Sequence, residues 1–129
     1  FLLVEEETDD GLRFNQPAGH WERGETLLEA VVREALEETA HDFLPECLLG
    51  IYSWGNPRKD IHYLRFAFAG RSEGHDPARR LDVGIARAVW LSPDEIRATR
   101  ARHRSPLIAQ CVEDYLAGRR FPLDVVRHY

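Results

Sequence analysis

Residues Gly19–Glu38 read GHWERGETLLEAVVREALEE, and the reading of this stretch decides the fold. Thr26 followed three residues later by Glu29 is the pattern of a capping box. Leu28, Val31, Val32, Ala35 and Leu36 then recur at helical spacing, which predicts a helix over Thr26–Thr39 with one apolar face. Glu34, Glu37 and Glu38 stand at i, i+3 and i+4, so their carboxylates emerge together on another face. That face points away from Leu28, Val32 and Leu36, toward solvent or an ion. Three anions held side by side repel one another and ask for a counter-charge. Oxygen donors without His or Cys beside them favour Mg²⁺ or Mn²⁺ over Zn²⁺. The preceding Pro17-Ala18-Gly19 allows close backbone approach, so the Ala18 or Gly19 carbonyl can join the carboxylates at a metal. A plainer reading also stands: a solvated acidic face on which Arg33 pairs with Glu37 one turn later.

On either side of this helix the chain alternates strands and helices. Leu2–Glu5 reads as the end of a strand, Asp9-Asp10-Gly11 as a turn, and Leu12–Phe14 as a return strand. The loop Asn15–His20 leads toward the helix. Leu48–Trp54 and Ile61–Ala69 read as strands joined by the turn-rich Gly55-Asn56-Pro57-Arg58, and Arg71–Arg80 as a polar loop. Ala86–Leu91 predicts a further strand. Ser92-Pro93-Asp94-Glu95 starts a short helix with Pro in its first turn. A last helix over Ser105–Ala117 stops at Gly118. No repeat, low-complexity tract or linker interrupts the pattern, so 1–129 reads as one α/β (α+β) domain. The sequence opens inside an apolar run, Phe1-Leu2-Leu3-Val4, and contains no Met. The expectation is an earlier amino-terminal strand missing upstream, with an open sheet edge beside Leu2–Glu5.

With 17 basic against 22 acidic residues the formal charge is −5, which argues against binding a nucleic-acid polymer. No apolar run approaches the roughly 18 residues of a membrane span. Cys47 and Cys111 have no metal or redox spacing, and a reducing, cytoplasmic setting is the simplest fit.

Gly19, Glu25, Arg33, Glu34, Glu37 and Glu38 together resemble the Nudix box, the motif of hydrolases acting on nucleoside diphosphates linked to another group. The resemblance implies an α/β/α sandwich with a mixed β-sheet and a loop–helix–loop metal site. It implies Glu34, Glu37 and Glu38 as ligands of Mg²⁺ (or Mn²⁺), with a backbone carbonyl from Ala18 or Gly19. Arg33 is then the arginine that orients a glutamate, and Glu25 the outer glutamate tying loop to helix. The chain departs from the pattern at Ala40-His41, where the family has Gly and an aliphatic residue, and at Ala35, which is small. The tail, with Arg104-Ser105-Pro106-Leu107, Tyr115, Gly118, Arg120, Pro122 and Leu123, resembles one phosphatase branch of the family. That branch hydrolyses nucleoside tri- and diphosphates and the pyrophosphate of a thiamine pyrimidine precursor, releasing phosphate.

The partner expected is therefore a small-molecule pyrophosphate, bound by a monomer or homodimer. Catalysis is expected from Glu34, Glu37 and Arg33, with water attacking phosphorus. Glu34, Asp82 or Glu73 is the candidate base. His20 could face phosphate, and Trp21 and Trp54 (with Tyr52 near) could stack on a ring. Each also reads as an ordinary loop or core residue. Arg58, Lys59 and Arg65 could supply positive charge, or be solvated. His62, His75, His103 and His128 have no ligand spacing. Two other readings stay open: a hydrolase of nucleotide sugars or oxidised nucleoside triphosphates, and a ligand-binding domain without catalysis.

Overall fold

The computed structural model describes residues 1–129, as five strands and three α-helices. Strands β1 (Leu2–Thr8), β2 (Gly11–Asn15) and β5 (Ile85–Trp90) form an antiparallel sheet in the order β2-β1-β5. Strands β3 (His41–Asn56) and β4 (Ile61–His75) form a long hairpin. The parallel component is one isolated bridge, between Phe14 and His103. Helix α1 (Leu27–Thr39) precedes β3, while α2 (Pro93–Ala98) and α3 (Leu107–Leu116) follow β5.

Successive residues of a strand point to opposite faces. Leu3 and Val4 are both at 0% exposure, so both faces of β1 are covered. Leu3 packs with Phe14, Ile96, Ile108 and Val112, which places α2 and α3 over that face. The same parity rule sends Glu5 to the Leu3 side and Glu6 to the Val4 side. None of the helices is long and apolar enough to cross a membrane.

Three expectations need correction. The hairpin strands run well beyond 48–54 and 61–69, and Arg71–His75 is strand where a loop was expected. Its polar side chains are exposed, and pairing with His41–Leu44 holds it extended. Bulges between Asp42 and Phe43 and between Pro45 and Cys47 take up the irregularities of β3. Second, β1 is the middle strand, paired with β5 over Leu2–Glu6 and with β2 over Val4–Thr8, so Val4 and Glu5 have a partner strand on each side where an open edge was expected. Third, the buried stripe of α1 is not its large apolar stripe. Val32 is 37% exposed, whereas Ala30, Ala35, Glu38 and Thr39 are buried. Small side chains let α1 settle closely onto its neighbours, and that rotation turns the carboxylates inward.

Both ends of α1 follow their local chemistry. Thr26 accepts from the Glu29 N–H and Glu29 accepts from the Thr26 N–H, closing the capping box. At the other end Ala40 takes the left-handed conformation at φ 57°, a position where Ala costs about 1 kcal/mol more than Gly.

Candidate functional site

Arg33 is the hub of the loop before α1. Its guanidinium donates to both Glu25 oxygens, at 3.0 and 2.7 Å, to Glu34 at 2.7 Å, to Glu37 at 3.2 Å and to the His20 carbonyl at 3.1 Å. Glu25 also accepts from the Glu22 N–H at 2.8 Å. Arg33 and, after it, that backbone bond hold the Glu25 carboxyl below its usual range. Glu25 thus ties loop to helix through Arg33, which in turn sets the directions of Glu34 and Glu37.

Glu38 lies inside, 8% exposed, where the helical spacing put it on a face turned toward solvent or an ion and away from the core. Its one hydrogen bond is from the Ala18 N–H, at 3.2 Å to Oε2. Burial, chiefly, pushes its carboxyl up to about 8; the Ala18 N–H pulls the other way, and the negative charges of Glu34, Glu6 and Asp82 add to the rise. Gly19 is fitted just as closely. A Cβ there would stand 2.0 Å from the Glu34 carboxylate, so only glycine lets that carboxylate lie against the loop.

Two acidic residues from elsewhere approach the same end of α1. Glu6 of β1 is buried and accepts from Arg104 at 2.7 Å. The Asp82 N–H donates to the Glu37 carbonyl at 3.0 Å, which pins the loop before β5 to the last turn of the helix. Glu73, the other candidate base, is exposed and bonded to Arg71. Glu6 lay hidden in an acidic stretch, and alternation along β1 was the signal that could have separated it from Glu5 and Glu7.

The expected binding residues are dispersed. His20 is exposed and lends Arg33 its carbonyl. Trp21 is 61% exposed, with its indole N–H donated to the Glu25 carbonyl at 2.7 Å, so it belongs to the loop. Trp54 lies on the hairpin, stacked on Tyr63 with ring centroids 5.7 Å apart. Tyr52 and Arg65 are the next cross-strand pair but one, on the same face. The Tyr52 hydroxyl donates to Asp114 of α3 at 2.7 Å, and Arg65 donates to Gln16 at 3.1 Å. Arg58 pairs with Asp10 on the surface.

Donors fit for a hard divalent cation are therefore present, although no three acidic, His or Cys side chains yet surround one point. Glu34 and Glu37 lean on Arg33 instead. What fits such an ion is an all-oxygen donor set, a buried carboxylate without a basic partner, and a loop that a Cβ would spoil.

The family model for the NUDIX domain matches residues 1–111. Phosphatase NudJ of Escherichia coli (strain K12) is 39% identical over 126 residues, covering 98% of this chain and 81% of that protein. A NUDIX hydrolase from Nitrosomonas europaea superposes with a TM-score of 0.96 at 54% identity, over 99% of this chain and 87% of that one. The MutT protein of Methanosarcina mazei Go1 shares the fold, with TM-score 0.70 at 19% identity over 93% of this chain and 86% of that one.

Proposed function

The chain belongs to the NUDIX family and is an enzyme hydrolysing phosphoric anhydrides, and from that premise we propose a Mg²⁺-dependent phosphatase of small pyrophosphates. Its substrates are nucleoside tri- and diphosphates and a thiamine-pyrimidine pyrophosphate, with phosphate released. NUDIX hydrolases generally use divalent metal ions. The similarity to phosphatase NudJ over nearly the whole chain supports the finer assignment. The observation that carries it is the buried Glu38 carboxylate, which meets the Ala18 N–H across the loop and has no basic partner.

Glu34, Glu37 and Glu38 would hold the ion, with the Ala18 or Gly19 carbonyl. When bound, it neutralises phosphoryl oxygens and acidifies water. Arg33 does not touch substrate in this reading; it positions Glu34 and Glu37 and locks the loop through Glu25. Asp82, whose backbone N–H is anchored to the last turn of α1, is the base in this reading and would take the proton of the attacking water. The Trp54–Tyr63 stack, with Tyr52 alongside, offers the substrate's ring an aromatic platform. Stacking of this kind is worth about 1–3 kcal/mol per base and tolerates different rings, so a broad substrate profile is expected.

The test is a phosphate-release screen across nucleotides, thiamine precursors and nucleotide sugars, with and without Mg²⁺. Turnover of several terminal pyrophosphates, lost in EDTA, supports the reading. Activity that persists in chelator, or pyrophosphate as the main product from triphosphates, would refute it.

A further inference from the structure

We propose that Arg65 is a phosphate-binding residue, taking the substrate's phosphate oxygens beside the loop that also meets Glu38. This rests on the hydrolase reading above and deepens it. Arg65 sits part-buried on β4, yet its guanidinium makes one hydrogen bond, to the neutral Gln16 amide at 3.1 Å, and pairs with no carboxylate. Every other arginine facing this part of the molecule is committed: Arg33 to Glu25, Glu34 and Glu37, Arg102 to Glu5, and Arg104 to Glu6. A guanidinium carries five N–H donors and keeps its charge, so one bond to an amide leaves most of its binding capacity unused.

Placement supplies the second observation. Gln16 and Ala18 are two residues apart in one loop, which keeps their Cα atoms within about 7.5 Å of each other. Arg65 holds the first of them by its side chain, and Glu38 the second by its N–H. The cation without a carboxylate partner and the carboxylate without a basic partner therefore both reach the same loop, two residues apart. Next to Arg65 in the sheet lie Tyr52 directly across and the Trp54–Tyr63 stack two pairs further on, all on one face. A molecule with a ring over Trp54–Tyr63 and its phosphates between Arg65 and Glu38 meets aromatic surface, cation and carboxylates in the order its own parts require. A planar fork matches two oxygens of one phosphate, which an ammonium does not. Burial, chiefly, lowers the guanidinium's proton affinity and the charge of Arg104 adds to this, while Cys111, Glu6 and Tyr63 pull the other way. An arriving anion would offset both the burial and the Arg104 charge.

A prop for Gln16 would be the rival role. It predicts a stability change and nothing about anions. The test is titration of the metal-free protein with inorganic phosphate, followed through the arginine Nε–H resonances, with Arg65→Lys assigning the signal. The Arg65 signal is expected to move while that of Arg58 stays. Arg65→Gln is expected to weaken phosphate binding at least 10-fold and raise KM at least 10-fold, with kcat within about 3-fold. Arg65→Lys should fall between. An Arg65 signal indifferent to phosphate, or an unchanged phosphate affinity in folded Arg65→Gln, would overturn the assignment. Hydrolysis by the wild type in that case leaves the proposed function standing. Phosphate captured by Arg65 without turnover of any pyrophosphate sustains the assignment and sinks the function.

Discussion

Two glutamates, Glu5 on β1 and Glu38 at the end of α1, are buried almost equally, at 7% and 8% exposure, and their carboxyls shift in opposite directions. Glu5 is gripped by Arg87 at 2.7 Å and by Arg102, and these bonds hold its carboxyl below the ordinary range. Glu38 has one backbone N–H and three acidic neighbours, and burial pushes it up to about 8. Exposure is nearly the same, but Glu38 lies deeper, so desolvation weighs more on it, and the partners differ as well. A carboxylate with two arginines serves the fold, whereas one without an ion pair is destabilising to it, which is the ground for the ion proposed at Glu38.

The largest effect should come from neutralising each in turn. Glu38→Gln is expected to lower phosphate release by at least about 10³-fold, as befits loss of a metal ligand, and to leave stability unchanged or raised. Glu5→Gln should do the reverse, leaving kcat within a few-fold and lowering stability. Both of its arginines are substantially exposed, so the cost is expected below that of a fully buried broken pair, at about 1–3 kcal/mol. Rates and denaturant unfolding of the two variants, measured side by side, decide this. A matched loss of activity in both would erase the distinction.

Gly19→Ala sharpens the comparison from the loop side. The added methyl collides with the far end of the flexible Glu34 side chain, which moves at little cost to the fold but leaves its place at the site. A loss of activity of about 10–100-fold is expected, with the melting temperature shifted by less than about 3 °C. A large drop in melting temperature with rates intact would contradict it.

The smallest effect concerns acid. Because Glu5 is held below its unfolded value of 4.5, its stabilisation is fully present above that pH and is lost as pH falls through the lower folded value. Stability in the wild type should thus decline more steeply below about pH 4.5 than in Glu5→Gln. Parallel acid-unfolding curves would remove Arg87 and Arg102 as the cause.

The order of strands and helices was legible because each rests on local chemistry: the Thr26–Glu29 box, Pro93 in the first turn of α2, Gly118 beyond α3. The sequence also brought Gly19, Glu25, Arg33, Glu34, Glu37 and Glu38 into one pattern. What it could not convey was which way α1 rolls. The large residues argued for burying Val32, but small Ala30 and Ala35 permit closer packing and carry Glu38 inward. Glu6, Arg104, Gln16 and Arg65 were hidden for a different reason. They come from β1, the loops and β4, and only tertiary pairing joins them. Trp21 and Trp54 were alike as sequence, yet one is tied to the Glu25 carbonyl and the other stacks on Tyr63 in the sheet.

In the proposed function Glu38 is buried without an ion pair because it serves a divalent ion that the chain itself does not supply. Binding of Mn²⁺, followed by electron paramagnetic resonance in the wild type, Glu38→Gln and Glu5→Gln, tests it most directly. An affinity at least 10-fold weaker in Glu38→Gln and unaltered in Glu5→Gln is expected. Equal affinity in all three proteins would contradict it.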